Sequence, residues 1–406
     1  MKFNDRFIDT FDQLKFFPLM DFAYNCKTHL NRVIVNKSLF TNQMKLYYKN
    51  LIENSFLKLY NDPIWFINNT VYEEKYLHLK TKKLSTKAVN YFNKKGLTIF
   101  LSEPLNFYKD NFNENELLIS VNKFAHKNNL EKITLYTCEK NVKELSKSYP
   151  SLTISCKNIF LTIVSLEINK TYNLNINFDE KNNLITKKFW CGNIAYSQHR
   201  HFVINFLYSK SGNYSWYHNI DLFDNMDHNQ LYHKNLNSPN NFLTVLKSNY
   251  PQYYDDLMYN NDRLSTDVPV KMDDNFNSKK KSIIKYYDEC FCAVVTETYF
   301  NHKYADISEK TLYAIAYGKP FILVAPCGSL EYLKQLGFKT FDQFWSEEYD
   351  LEKDAQTRMI MIFDLISKIN SYSISYLKDL YKEMQPILEH NLSILKTLPN
   401  NSKILT

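Results

Sequence analysis

Two periods of hydrophobicity organise this chain. From Ser85 onward, a helical stretch over 86–95 closes at Gly96 and gives way to a short apolar run over 97–102. A second helical stretch over 114–127 places Leu117, Leu118, Val121, Phe124 and Ala125 on one face. An apolar run at 132–137, a helix at 141–148 and an apolar run at 152–156 complete a βαβαβ pattern, which predicts a parallel sheet. Before residue 80 the pattern is less informative. One helix is predicted over 43–60, where Met44, Tyr47, Tyr48, Leu51, Ile52 and Leu59 recur at helical spacing ahead of Asp62-Pro63.

The second half repeats the theme. The polar, Asn-rich stretch 171–187 reads as a linker, followed by a strand at 188–193 and a helix at 197–210. Residues 211–281 read as a long polar insertion with one short helix near 241–248. From 291 to 341 the chain alternates: strand 291–295, helix 308–317, strand 321–325, helix 329–336 and a short strand 339–341. Residues 354–398 carry a helical pattern to the end. Asp306 or Ser308 can cap the helix at 308–317, Gly318 follows its end and Pro320 prevents its continuation. The strands are apolar without alternation, as parallel strands covered on both faces are.

Ligands of such sheets sit beyond the carboxyl ends of the strands, where Thr296, Glu297 and the Ser308-Glu309-Lys310-Thr311 turn fall. A helix N-terminus favours anions, and here it carries a lysine. Taken alone, the turn reads either as a phosphate site or as ordinary capping with a glutamate in the first turn.

Composition narrows the classes. With 406 residues and 44% apolar content, the chain has material for two domains. A net charge of +7, spread along the sequence, suits anionic substrates without requiring nucleic acid. The excess of Asn, Lys, Ile, Tyr and Phe over glycine follows A/T-rich codons, so the 16% aromatic content is no stacking surface in itself. Seven scattered cysteines read as reduced core residues, and Cys290-x-Cys292 is not metal-ligand spacing. Asp224, Asp227 and His228 are irregularly spaced on a predicted loop, so no metal is assigned. No apolar run reaches the roughly 18 residues of a membrane span, and the N-terminus is acidic where a signal peptide is basic, so a soluble, cytoplasmic protein is expected.

The ordered pieces VTET (295–298), SEKT (308–311), GKPFIL (318–323), GSLEYL (328–333), GFKTF (337–341) and EEYD (347–350) resemble the C-terminal-domain signature of phage- and virus-encoded glycosyltransferases. The SEKT region is also similar to the signature of α1,3-fucosyltransferases. The chain departs from the phage pattern at Tyr313-Ala314, where Lys-Pro is usual. Gly192-Asn193 and His199-Arg200 match the start of the family's second domain, while Ile194-Ala195-Tyr196 lacks its arginines.

The resemblance implies an α/β, GT-B-like fold: two Rossmann-like domains facing across a cleft, with C-terminal helices. The expected boundaries are 1–180 for an acceptor domain, 181–380 for a nucleotide-sugar domain and 381–406 for a tail crossing back. The implied activity is transfer of a sugar from a nucleotide-diphosphate donor, host-cytoplasmic and without cofactor or metal. The acceptor is a modified DNA base, a virion protein or a surface glycan.

Lys310 and Arg200 are the candidates to neutralise the leaving diphosphate, with Ser308, Glu309 and Thr311 completing that turn. Glu309 and Glu297 are candidates for ribose or sugar hydroxyls, and the Gly328-Ser329 turn for phosphate or donor sugar. In an inverting reaction Glu103, closing the 97–102 strand, is the expected base, with Asp110 and Glu114 in reserve; a retaining reaction needs none. The rival reading is a non-catalytic virion-associated or nucleic-acid-binding protein on the same shell. A dehydrogenase or epimerase is disfavoured, because the six glycines form no G-x-G-x-x-G turn.

Overall fold

The computed structural model describes residues 33–35, 64–67, 86–95, 97–101, 116–131, 133–137, 147, 149, 152–156, 161, 164–165, 168–169, 171–193, 197–210, 212–215, 239–258, 276–302 and 305–398. The predicted helix 43–60, most of 141–148, and Glu103, Asp110, Glu114, Asp224, Asp227 and His228 lie outside them. The chain forms two compact units, one of Met1–Glu167 with Leu398–Thr406 and one of Ile168–Thr397. Each carries a parallel sheet flanked by helices, so the class is α/β.

In the first unit the elements run β1 (Val33–Val35), β2 (Ile64–Ile67), α1 (Thr86–Lys95), β3 (Leu97–Leu101), α2 (Glu116–Lys127), β4 (Ile133–Thr137) and β5 (Leu152–Cys156). The strands pair in chain order, every neighbour parallel. Val121, Phe124 and Ala125 of α2 are buried with Ile133, Leu135, Leu152 and Ile154. Asn93 of α1 clips the turn into β4, donating to the Asn129 carbonyl at 2.8 Å and accepting the Glu131 N–H at 3.0 Å.

The second unit continues with α3 (Phe178–Leu184), β6 (Lys187–Gly192), α4 (Gln198–Ser209), β7 (Asn213–Ser215), α5 (Pro239–Asn249), α6 (Pro251–Met258), α7 (Phe276–Glu289) and β8 (Cys290–Thr296). It ends with α8 (Glu309–Ala316), β9 (Phe321–Val324), α9 (Ser329–Gln335), a 3-10 turn Glu348–Leu351, α10 (Ala355–Ser371) and α11 (Ile374–Thr397). Its strand order is β7-β6-β8-β9, all parallel. The chain leaves β6 for β7 on one side and later returns to place β8 on the other. The order therefore reverses between β6 and β8, and the crevice beyond their carboxyl ends is the topological switch point of the sheet.

Every residue of β8 and β9 is buried, as their unbroken apolar runs predict. Phe363 of α10 stacks on Phe206 of α4 with centroids 4.1 Å apart, and Tyr253 of α6 meets Phe206 edge-on at 5.3 Å. Gly318 turns the chain out of α8 at φ +65, where a Cβ would come within 2.9 Å of Ile176. Its carbonyl accepts the Tyr381 hydroxyl of α11 at 2.7 Å.

Three local expectations are corrected. The 171–187 stretch contains α3, because Asn177 caps it by accepting the Glu180 N–H and Phe178 and Ile185 are buried. Besides the expected short helix, α5, the 211–281 region holds β7, α6 and the start of α7; α5 and α6 open on a proline, which suits the first helical position. Residues 339–341 form no strand. Asn391 of α11 instead accepts the Lys339 N–H at 2.7 Å and donates to the Lys339 carbonyl at 2.9 Å, so one amide takes the place of a neighbouring strand.

Candidate functional site

At the switch point, Asn193 follows the end of β6 and Thr296 ends β8, and the Thr296 hydroxyl donates to the Asn193 side-chain oxygen across the two strand ends. The next residue, Glu297, is completely buried and organises the site. Its Oε1 accepts the Ser308 N–H at 2.8 Å and the Thr311 hydroxyl at 2.6 Å. Its Oε2 accepts the Ser308 hydroxyl and faces Lys310 Nζ at 3.6 Å. The chain's own carboxylate thus occupies the start of α8, where the helix dipole and capping donors favour an anion.

Lys310 bridges outward from this core. Its ammonium donates to Ser308 Oγ at 3.0 Å and Thr298 Oγ1 at 3.2 Å, lies 3.5 Å from Glu309, and remains 22% exposed. The Glu309 side chain is 37% exposed. Desolvation pulls its pKa upward, but the Lys310 charge and local hydrogen bonds outweigh that, so it is held below the usual carboxylate range.

The main-chain carbonyl of Glu297 anchors the opposite side. It accepts His199 Nε2–H at 2.9 Å and Arg200 NH2 at 3.1 Å, both from the first turn of α4. Ser197, the N-cap of α4, lies with its hydroxyl 3.1 Å from His199 Nδ1, which suits a neutral ring protonated on Nε2. Burial, reinforced by the Arg200 charge, lowers the His199 pKa to about 3. Burial also lowers the pKa of Arg200, opposed by Glu297 and Glu309, and the guanidinium stays charged.

The structure therefore joins Arg200, Glu297, Ser308, Glu309, Lys310 and Thr311 in one network centred on Glu297. Ser329 backs it: its buried hydroxyl accepts the Asp306 N–H at 3.1 Å, on the loop into Ser308, and donates to the Pro326 carbonyl at 2.7 Å. Gly328, at φ +81, donates its N–H to the Asp350 carbonyl at 2.7 Å. The Leu330 and Glu331 amides of α9 are already taken by the Asp350 carboxylate at 3.0 and 3.1 Å, so this turn is bound within the chain. Among the described residues no group of His, Cys, Asp or Glu is arranged to hold a metal, and no helix is long and apolar enough to cross a membrane. Cys191, Cys290 and Cys292 are buried free thiols.

Thr296 was placed at the ligand end of its strand without a role, and Asn193, His199 and Thr298 were not among the predicted site residues. Asn193 and Thr296 carried a signal, since each is a small polar residue at the carboxyl end of a strand. The approach of His199 to Glu297, 98 positions away, carried none.

No protein-family model matches the chain, and no curated protein or solved structure matches it either.

Proposed function

We propose that the chain is a GT-B-like, metal-independent glycosyltransferase of phage or virus origin, with the second unit holding the nucleotide-diphosphate sugar and the first serving the acceptor. One observation carries this reading: Lys310 and Arg200, from two different helices, are anchored on a single buried residue, Glu297, at the switch point of a parallel sheet. The ordered motifs from VTET to EEYD supply the family expectation.

In the proposed reaction the acceptor oxygen attacks the anomeric carbon as its bond to the diphosphate breaks. Charge grows on the leaving phosphate oxygens, and Lys310 and Arg200 offset it; one such preorganised donor is worth about 3 kcal/mol. Glu309, ionised and partly exposed, accepts hydroxyls of ribose or sugar. With inversion, the acceptor proton passes to a base, for which Glu103 is the candidate; with retention, Glu103 has no such role. A modified DNA base, a virion protein and a surface glycan are the acceptor classes, and the charge of +7 leans toward DNA.

The competing, non-catalytic reading has one observation in its favour: Glu297 already satisfies Ser308 and Thr311 inside the fold. Incubating the protein with each sugar nucleotide and measuring release of free nucleoside diphosphate separates the two. Transferase chemistry predicts slow release from one donor, lost in Lys310→Ala. No release from any donor, with or without DNA, favours the non-catalytic shell.

A further inference from the structure

Arg358 of α10 is 2% exposed, and among the described residues its hydrogen bonds go to main-chain oxygens alone. Its NH1 donates to the carbonyls of Glu352 at 2.5 Å and Lys353 at 3.3 Å, and its NH2 to the carbonyl of Phe300 at 2.6 Å. The guanidinium also lies over the Phe300 ring, 4.5 Å from its centroid. Asp350, Asp354 and Glu352 act on it from beyond hydrogen-bond reach. A charge buried this way costs several kcal/mol that an apolar side chain of similar volume would avoid. What the arginine adds is a planar fork and a positive charge.

Both point toward the site. Phe300 is fully buried and stacks on His199, with centroids 5.7 Å apart and the planes 18° from parallel. His199 in turn donates to the Glu297 carbonyl, the acceptor it shares with Arg200. The loop from Glu297 to Phe300 is thus tied at its start by α4 and at its end by Arg358.

We infer that Arg358 is a positioning residue for the anion site: its fork fixes Phe300, and through it the Glu297 carbonyl on which His199 and Arg200 are held, while its charge adds to the positive potential there. The identity of the anion, a nucleoside diphosphate, rests on the proposed function; the clamp does not.

Two variants of the whole protein test this, Arg358→Met, which removes fork and charge, and Arg358→Lys, which keeps the charge. The first readout needs no ligand: the titration of His199 followed by imidazole nitrogen NMR. In the wild type burial and the Arg200 charge hold the His199 pKa down, to about 3. Arg358→Met takes away a charge that holds the His199 pKa down, so its titration moves up toward the ordinary histidine range; Arg358→Lys keeps the charge but loosens the Glu297 carbonyl, whose hydrogen bond favours the protonated ring, so its titration moves down. The second readout is affinity for inorganic pyrophosphate and for nucleoside diphosphates. It weakens about tenfold in Arg358→Met, which loses both the fork that fixes the Glu297 loop and the charge, and less in Arg358→Lys, which keeps the charge. Either readout left unmoved in a folded variant overturns the inference. Should Arg358→Met not fold, Arg358→Lys decides on the same two readouts. A wild type that binds neither anion sinks the nucleotide-sugar reading, and the histidine titration then decides the clamp alone.

Discussion

The Glu297 carboxylate accepts the main-chain N–H of Ser308 at 2.8 Å, which puts a side chain of β8's carboxyl end at the opening of α8. That single contact joins the VTET and SEKT motifs. It also explains their chemistry: a buried carboxylate satisfied by three protein donors holds a lysine in place while leaving its ammonium partly open to solvent.

Glu297→Gln keeps the shape and removes the charge. The amide nitrogen then faces a donor, and Lys310 loses its buried partner. Breaking a buried pair of this kind costs about 3 kcal/mol, so chemical denaturation should show a lower midpoint with an unchanged slope. A midpoint equal to that of the wild type would mean that the Glu297 network does not hold this part of the fold together.

Acid stability should report on His199. Its folded pKa, about 3, lies below the ordinary 6.5, so the unfolded chain binds the proton first. The neutral ring's contribution is complete above pH 6.5 and is lost as the pH falls from 6.5 toward 3. The loss proceeds at up to about 1.4 kcal/mol per pH unit. Between pH 6.5 and 5, above the ordinary carboxylate range, this slope should be visible in urea titrations. His199→Gln, which keeps a donor for the Glu297 carbonyl, should flatten it; an equally steep slope in that variant would assign the titration elsewhere.

Asn391 stands in for a strand at Lys339. Asn391→Leu leaves the N–H and the carbonyl of Lys339 without their partner and should cost about 2 kcal/mol, while Asn391→Asp keeps the acceptor for the N–H but sets a buried carboxylate oxygen against the carbonyl and loses more. Equal stabilities of the two variants, measured by thermal denaturation, would contradict the bidentate role.

The same residue marks the limit of what the sequence could show. β8, β9 and α8 were legible because their signals are local: unbroken apolar runs, Ser308 as cap, Gly318 and Pro320 as stop. Lys339 to Phe341 looked like a strand by the same local logic, but the Lys339 hydrogen bonds are met from α11, 52 residues further on, and the Phe341 N–H donates to Glu347. Helix α5 was legible as a short helix near 241–248, whereas α6 was hidden by polar composition, although Pro251 marks its start and Tyr253 is buried against Phe206. At the site, the SEKT turn and Glu297 were recognisable as a set. That the carboxylate turns inward onto Ser308 and Thr311, and that Arg358 reaches Phe300 across 58 positions, follows only from the folded chain.

The central claim is that the second unit binds a nucleoside diphosphate through Lys310 and Arg200. A thermal-shift panel of UDP, GDP, CDP, ADP and dTDP with their sugar conjugates, run on the wild type and on Lys310→Ala, tests it most directly. At about 100 times its dissociation constant a ligand adds about 2.7 kcal/mol, a shift of several degrees for domains of this size. The account predicts that one base stabilises the wild type and fails to stabilise a folded Lys310→Ala. Silence across the panel, or an equal shift in both proteins, would contradict it.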